Sequence, residues 1–373
     1  MIYFDNAATT AHKPQKVIAA VQNAIKRFSA NPGRGGHNAS LKAADAVFSV
    51  REKAAEYFNA NSAENVVFTQ NCTLALNVAM QGIFHPGDHI IISSLEHNAV
   101  YRTAMYLRKK GIDFSVAEVS LDEDTTVNNF VSLIRYNTKG IVCTHASNVF
   151  GIVLPIKRLG KVCSVFGLRF IVDAAQTAGV LPIDMKECHI DCLCIAPHKG
   201  LYSPMGTGIL ITDNSPKPLV FGGTGSNSID HDQPEFLPDK YESGTINVPG
   251  ICGIGAGIDF IKQNRGNAYK KEMKLIRYIY SMLSKKENVL LYTPVPDKRF
   301  VPLLSLNIRG ENSEAVAAKL NENNIAVRAG LHCAPLAHRS FGTINTGTVR
   351  VSPSIFNTEN EAEYFVHTVK KNF

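Results

Sequence analysis

Two polar residues at the ends of apolar runs are where this chain is best equipped for chemistry. Phe170-Ile171-Val172 ends at Asp173, and Cys192-Leu193-Cys194-Ile195 ends just before His198-Lys199, with 26 positions between the acid and the amine. Short apolar runs at that spacing predict neighbouring buried strands, which carry a carboxylate and an amine to one sheet edge, where open α/β folds keep their ligands. A lysine following a buried strand is expensive to place unless it has a task. One task is a Schiff base with a carbonyl cofactor, beside an acid that holds a ring nitrogen protonated. A strand-end ion pair whose amine reaches solvent gives the same pattern.

That pairing is the one pyridoxal phosphate (PLP) enzymes use, and other stretches supply further parts. Val66-Val67-Phe68-Thr69 reads as a strand, and Asn71-Cys72-Thr73 opens a helix from Leu74 to Gly82. Free amides beside a hydroxyl suit a phosphate, although Asn71 and Thr73 are equally good helix caps. The strand His89-Ile90-Ile91-Ile92-Ser93 delivers Glu96-His97-Asn98 to its far end, where His97 is placed either to stack on an aromatic cofactor or to serve as a satisfied structural histidine. Ile141-Val142-Cys143-Thr144 leads into His145-Ala146-Ser147-Asn148. Cys333 lies between Gly330 and Pro335, on a loop, and is expected to be the most accessible of the cysteines. Neighbouring His332 and Arg328 would favour its thiolate, and a chance surface thiol is the plainer alternative.

The elements that must position these residues follow from periodicity. Helices are predicted over Lys16 to Phe28 and Ala39 to Phe58, separated by the glycine-rich loop Asn31 to His37. Strand and helix then alternate, with the pattern continuing through the Asp173 and Lys199 strands, and the strands are apolar without alternation. This predicts an α/β fold with a mostly parallel sheet covered by helices on both faces. Phe221 to Pro249 is rich in Gly, Ser, Asn, Asp and Pro and reads as a long functional loop. A smaller α+β unit follows: helix Ala268 to Ser284, strand Leu303 to Ile308, helix Ser313 to Asn321, strand Ile325 to Arg328, strand Thr348 to Ser352 and a last helix from Glu359. The expected division is an arm at 1–14, a large domain at 15–250 and a small C-terminal domain at 251–373.

Length and composition narrow the class. A chain of 373 residues suits about two domains at roughly 150 residues each. With 45% hydrophobic and 19% charged residues it is expected to fold as a globular protein. The net charge of +7 has no long basic run behind it, so small anionic ligands are favoured over nucleic acid or membrane. Eight cysteines do not make a disulfide scaffold at this size. Cys188, Cys192 and Cys194 lack a second cluster that would complete a metal site, so no metal is expected. No stretch approaches the roughly 20 apolar residues needed to span a bilayer, and the start has no basic segment leading into an apolar one. A cytoplasmic location is expected.

Taken together, the chain resembles the class V aminotransferase group of fold-type I PLP enzymes, and within it the cysteine desulfurases. The resemblance runs along nearly the whole chain. It is carried by Tyr3-Phe4-Asp5-Asn6-Ala7-Ala8-Thr9-Thr10, Glu96-His97, Ser147-Asn148, Asp173-Ala174-Ala175-Gln176, His198-Lys199, Glu242-Ser243-Gly244-Thr245 and Arg328-Ala329-Gly330-Leu331-His332-Cys333-Ala334. It implies that Lys199 holds PLP covalently and moves protons, that Asp173 pairs with the pyridine nitrogen, and that Gln176 bonds the phenolic oxygen. His97 would stack on the ring and act as acid or base. Thr73, beside Cys72, and His198 would bind the phosphate, with Thr245 arriving from the partner subunit of a homodimer. Asn148 would lie by ring and substrate, and Arg350 would take the substrate carboxylate through a bidentate pair. Cys333 would attack the sulfur of L-cysteine, leaving a persulfide for a sulfur-acceptor protein and releasing alanine. The Arg-x-Gly-x-His-Cys form resembles the second type of desulfurase.

The sequence also departs from the family pattern. Ala196 and Pro197 stand where the family usually has a hydroxyl residue and glycine, Ser203 replaces a usual glycine, and Pro335-Leu336-Ala337-His338 differs from the best-known desulfurases. Three competing readings stay open. One is a selenocysteine lyase or cysteine sulfinate desulfinase, which needs Cys333 less. The others are a class V aminotransferase, which has no step for that cysteine, and a non-catalytic sulfur carrier.

Overall fold

The computed structural model describes every residue of 1–373 except Arg34, Asn214, Asn227 and Arg265. Arg34, within the glycine-rich loop at 31–37, therefore lies outside the described residues. The chain opens with β1 (Ile2–Tyr3), α1 (Gln15–Arg27) and α2 (Asn38–Phe58). It continues through β2 (Val66–Thr69), α3 (Cys72–Ile83), β3 (His89–Ser93), α4 (Asn98–Lys109), β4 (Asp113–Ala117), α5 (Glu123–Ser132), β5 (Thr138–Thr144), α6 (Ile156–Phe166), β6 (Arg169–Asp173), β7 (Cys192–Ile195) and β8 (Gly208–Thr212). Then come α7 (Val248–Gln263), α8 (Asn267–Leu283), β9 (Val289–Leu291), β10 (Leu304–Ile308), α9 (Ser313–Glu322), β11 (Ile325–Ala326), α10 (Pro335–Ser340), β12 (Val349–Val351) and α11 (Glu359–Asn372).

The main sheet has seven strands in the order β2-β8-β7-β6-β5-β3-β4. β4, β3, β5, β6 and β7 run parallel, and β8 is antiparallel to both β7 and β2. β3 and β7 are buried along their whole length, as expected of strands covered on both faces. One expectation is corrected here. The strand–helix alternation does not continue through the Asp173 and Lys199 strands: no helix joins β6 to β7, and β8 returns antiparallel. The connection at 174–191 instead runs through turns that seat Ala178, Ile183, Met185 and Cys188 in the core, so its apolar residues are spent without helical periodicity.

A second core surrounds the antiparallel sheet β12-β10-β9, against which α8, α9 and α11 pack. α7 has no strongly polar stripe, because Ile251, Ile254 and Ile258 face the large core beside Val47 and Val50 of α2. It packs on α1 and α2, and the expected domain boundary at 250/251 falls inside it. The N-terminal arm ties the units together: β1 pairs in parallel with β11, Phe4 sits in the second core, and the Thr10 N–H donates to the His198 carbonyl at 3.2 Å. No helix among the described residues is long and apolar enough to cross a membrane.

Candidate active site

The chemistry collects at the carboxyl ends of the parallel strands. β3 is followed by His97, β5 by Asn148, β6 ends on Asp173, and β7 is followed by Lys199. Strand order reverses around β3, with β4 on one side and β5 on the other, and such a switch point opens a crevice at the strand ends. The crevice is a cavity of about 220 Å³ lined by Cys72, Thr73, His97, Asn148, Asp173, Gln176, His198, Lys199, Arg328 and Arg350, among others. A wider groove of about 540 Å³ lies at the opposite sheet edge around Asn65, Arg169 and Asp191, and it gathers none of these residues.

Lys199 is half-buried, and desolvation, opposed by the Asp173 carboxylate and aided by Arg350, pulls its amine below the usual lysine range. A lysine held this way offers a neutral, nucleophilic amine more readily. Its backbone is fixed from the N-terminal arm, since the His198 carbonyl accepts from Thr10 Oγ1 at 3.0 Å and from Lys13 Nζ at 3.1 Å. Asp173 is 4% exposed, and its Oδ1 accepts from the Ala175 N–H at 2.9 Å and from Cys72 Sγ at 3.7 Å. Burial raises the Cys72 thiol well above its ordinary range, so Cys72 donates to the carboxylate as a neutral group.

His97 caps α4, with Nδ1 accepting from the Ala99 N–H at 3.0 Å. The proton of the neutral ring therefore sits on Nε2. Burial outweighs the pull of Asp173 and lowers this imidazole to about 4. His198 is lowered to about 4 by burial and by neighbouring Lys199 and Lys13, and its Nδ1 lies 3.0 Å from Thr9 Oγ1. Gln176 Nε2 donates to the Ala7 carbonyl at 3.1 Å. At the start of α3 the Asn71 side chain accepts from the Leu74 N–H at 2.9 Å, leaving the amides of Cys72 and Thr73 for a ligand.

Arg350 and Cys333 are linked through Asn148. Arg350 Nη1 donates to the Asn148 carbonyl at 2.8 Å, and Asn148 Nδ2 donates to the His332 carbonyl at 2.7 Å. The Cys333 carbonyl in turn accepts from the Asn98 N–H at 2.7 Å, next to His97. His332 and Cys333 both have positive φ, 48° and 57°, uncommon for side chains other than glycine and typical of a loop held by its surroundings. Cys333 is exposed, six of the other cysteines are buried and Cys252 is half-buried, so the expected contrast in accessibility holds.

Several readings change. His332 does not assist the cysteine: its Nε2 bonds the Thr348 carbonyl at 2.9 Å, and burial lowers the ring to about 2. The positive φ turns this side chain into the core while Cys333 faces out. Arg328 does approach, with Nη2 at 3.8 Å from Cys333 Sγ. Arg350 presents less of its fork than expected, because Nη2 is already held by Asp5 Oδ1 at 2.8 Å. Thr245, expected from a partner subunit, lines on its own chain a separate cavity of about 160 Å³ with Phe68, Thr69 and Tyr241, which leaves that expectation unchanged. Pro335-Leu336-Ala337-His338 proves to be helix α10, with His338 buried against Phe150.

Two residues of the site had no role assigned from sequence. Asp5 is one. The other is Glu96, which is completely buried, accepts from the Thr144 N–H at 2.9 Å and from Ser93 Oγ, and is raised by burial to about 8. It pins the turn before His97 to the ends of β3 and β5. Its signal was a charged residue directly after the apolar run that ends in Ser93-Ser94-Leu95.

The chain matches the model of the family described as aminotransferase class-V over residues 2–365. It is 31% identical to a probable cysteine desulfurase of Methanothermobacter thermautotrophicus, covering 99% of this chain and 94% of that protein. In solved structures it superposes on the apo cysteine desulfurase of Thermococcus onnurineus with a TM-score of 0.91 at 31% identity, covering 99% of this chain and 94% of that one. For the cysteine desulfurase CsdA of Escherichia coli the TM-score is 0.88 at 26% identity, with the same coverage. Sheet order, cavity and all three comparisons converge: the chain has the PLP fold-type I architecture and belongs to the aminotransferase class-V family, in its cysteine desulfurase group.

Proposed function

We propose that this protein is a PLP-dependent cysteine desulfurase that converts L-cysteine to L-alanine and collects the sulfur on Cys333. The observation that carries the reading is the meeting of a half-buried lysine amine held below its usual range, Lys199, with Asp173 in one cavity that also reaches Arg328 beside the exposed Cys333. The donor set fits PLP. Asn148 Oδ1 and Arg350 Nε are buried without a partner among the described residues, an acceptor and a donor on residues of this cavity that suit a ligand's polar groups.

Lys199 would hold the cofactor, Asp173 its ring nitrogen and Gln176 its phenolic oxygen, while Thr73, His198 and the first amides of α3 would hold the phosphate. When bound, PLP supplies an electron sink for the substrate amino acid. Arg350 orients the substrate carboxylate, and Lys199 moves the Cα proton. His97, protonated at Nε2, faces the same cavity as acid or base. The Cys333 thiolate, drawn by Arg328, forms an S–S bond to the substrate sulfur as the C–S bond breaks. The bonding pair stays on carbon, and a proton completes the methyl group of alanine.

We further propose a homodimer completed by Thr245 of the partner subunit. Support comes from the segment around it, where Phe221 is 70%, Ile229 92% and Phe236 47% exposed. The 1–14, 15–250 and 251–373 division, the second-type loop, the cytoplasmic location and a sulfur-acceptor protein belong to the same reading. The free cysteines support a reducing compartment. Incubation of PLP-loaded protein with L-cysteine and a reductant tests the activity. Wild type should release sulfide and alanine, and Cys333→Ala should keep the yellow colour while losing turnover. Equal turnover by that variant would defeat the assignment of Cys333.

A further inference from the structure

The His198 carbonyl is crowded with donors from the N-terminal arm. The Thr10 N–H stands at 3.2 Å from it, Thr10 Oγ1 at 3.0 Å, Lys13 Nζ at 3.1 Å and Thr9 Oγ1 at 3.3 Å. An amide and an ammonium can only donate, and a carbonyl oxygen has two lone pairs, so the Thr10 N–H and Lys13 already fill it. The two hydroxyls have alternatives. That of Thr10 reaches the Lys199 carbonyl at 3.3 Å and accepts from Lys13 Nζ at 2.8 Å. That of Thr9 lies 3.0 Å from His198 Nδ1, closer than it is to the crowded carbonyl.

Thr9 is itself held in place. The Tyr3 hydroxyl donates to its carbonyl at 3.2 Å, and Tyr3 belongs to β1, which is paired with β11. His198 is neutral, lowered to about 4 as described above, and a neutral imidazole has a single N–H to place. With Nδ1 taken by Thr9, Nε2 is the ring nitrogen that has no partner among the described residues, and the ring lines the cavity with Thr73 and Cys72. Ala196-Pro197 brings no side-chain donor to this loop, so His198 alone can provide one ahead of the lysine.

We propose that Thr9 is a positioning residue that sets the tautomer of His198. Its hydroxyl donates to Nδ1, and the imidazole proton is thereby kept on Nε2, where it serves an oxyanion bound in the cavity. The opposite tautomer would offer a lone pair to that anion, an acceptor to an acceptor. The inference rests on the reading of the anion as the PLP phosphate, and it adds to cofactor retention a residue that acts through the histidine.

Two measurements separate the tautomer from the cofactor. The first is nitrogen NMR of the full chain labelled in its histidine rings, with the His198 signals assigned by their loss in His198→Gln. Holoenzyme and cofactor-free protein alike should show Nε2 protonated and Nδ1 without a proton. The second is titration of cofactor-free wild type, Thr9→Ser and Thr9→Val with PLP and with pyridoxal, which lacks the phosphate. PLP should bind Thr9→Val about tenfold more weakly, the low end of what a hydrogen bond to a charged group contributes, and pyridoxal should bind all three proteins within about twofold. Thr9→Ser should keep the wild-type affinity for PLP.

A proton on Nδ1 of wild-type His198 would overturn the proposal, and this spectrum needs no Thr9 variant to fold. Wild-type PLP affinity in Thr9→Val would overturn it as well. So would an equal loss of PLP and pyridoxal, which would reduce Thr9 to a structural part of the arm. A wild type that takes up neither molecule would overturn the PLP reading instead, and the spectrum of the cofactor-free chain would still decide the tautomer.

Discussion

The guanidinium of Arg350 and the carboxylate of Asp5 meet at 2.8 Å across 345 residues of chain, with the arginine side chain 1% exposed and the acid 20%. Burial disfavours the arginine's charge, and Asp5 is the main group that restores it. The pair fixes the plane in which Arg350 can offer its remaining donors.

Asp5→Ala should therefore destabilise the fold and weaken substrate binding together. Leaving one charge of a buried pair uncompensated costs about 3–5 kcal/mol, and the partial exposure of Asp5 points to the low end. Urea unfolding would report the loss. KM for L-cysteine should rise in the same variant, and a normal KM would separate Asp5 from substrate orientation.

Asn148→Ala should free the cysteine loop. The variant takes the 2.7 Å donor away from the His332 carbonyl, at about 1–3 kcal/mol for an unsatisfied buried acceptor. Iodoacetamide should alkylate Cys333 faster than in wild type, because the His332–Cys333 peptide then keeps only one of the two carbonyl bonds described above, the one from Asn98. An unchanged alkylation rate would mean that the loop stands without this bond.

Ala196→Ser should tighten cofactor retention. Ala196 lines the cavity next to His198, and one added hydroxyl bond is worth about 1 kcal/mol, or about fivefold in dissociation constant. Equilibrium dialysis of PLP against both proteins would measure it. No gain would show that the phosphate donors are already complete.

Cofactor-free protein should be most stable near pH 6.5. His97, His145, His198, His332 and His338 are lowered from 6.5 to about 4, 3, 4, 2 and 4, so between about pH 4.5 and 6.5 they bind protons when unfolded and not when folded. Glu96 and Glu272 are raised from 4.5 to about 8 and do the reverse, keeping protons only in the folded state. These five histidines outnumber the two acids below pH 6.5, so stability climbs with pH there. Between 6.5 and about 8 only the acids act, and stability declines. Melting temperatures measured from pH 5 to 8 should trace that dome, and a steady rise to pH 8 would contradict the burial of the two acids.

What the sequence discloses depends on how local the cause is. Asp173, Lys199 and His97 were legible because each follows an apolar run that has to be a buried strand, and buried strands of one sheet put their ends together. The Asp5–Arg350 pair was not, since nothing within several residues of either predicts a partner so remote. The inward turn of His332 depended on backbone angles that His332-Cys333 adopts only because Asn148 and Asn98 hold the carbonyls. Glu272 left a trace that went unread: with Ala268, Leu275 and Ile279 it falls on the buried stripe of α8, where an acid is out of place.

The arm built from β1 and residues 4–13 has one more consequence. Its contacts are with His198, Ala326 and Ser352, so the arm can settle only after β12, far along the chain, has been synthesised. Lys199 and Arg350 thus acquire their final surroundings only once β12 has been made. A nascent chain that stalled before β12 would carry a complete parallel sheet and no working enzyme.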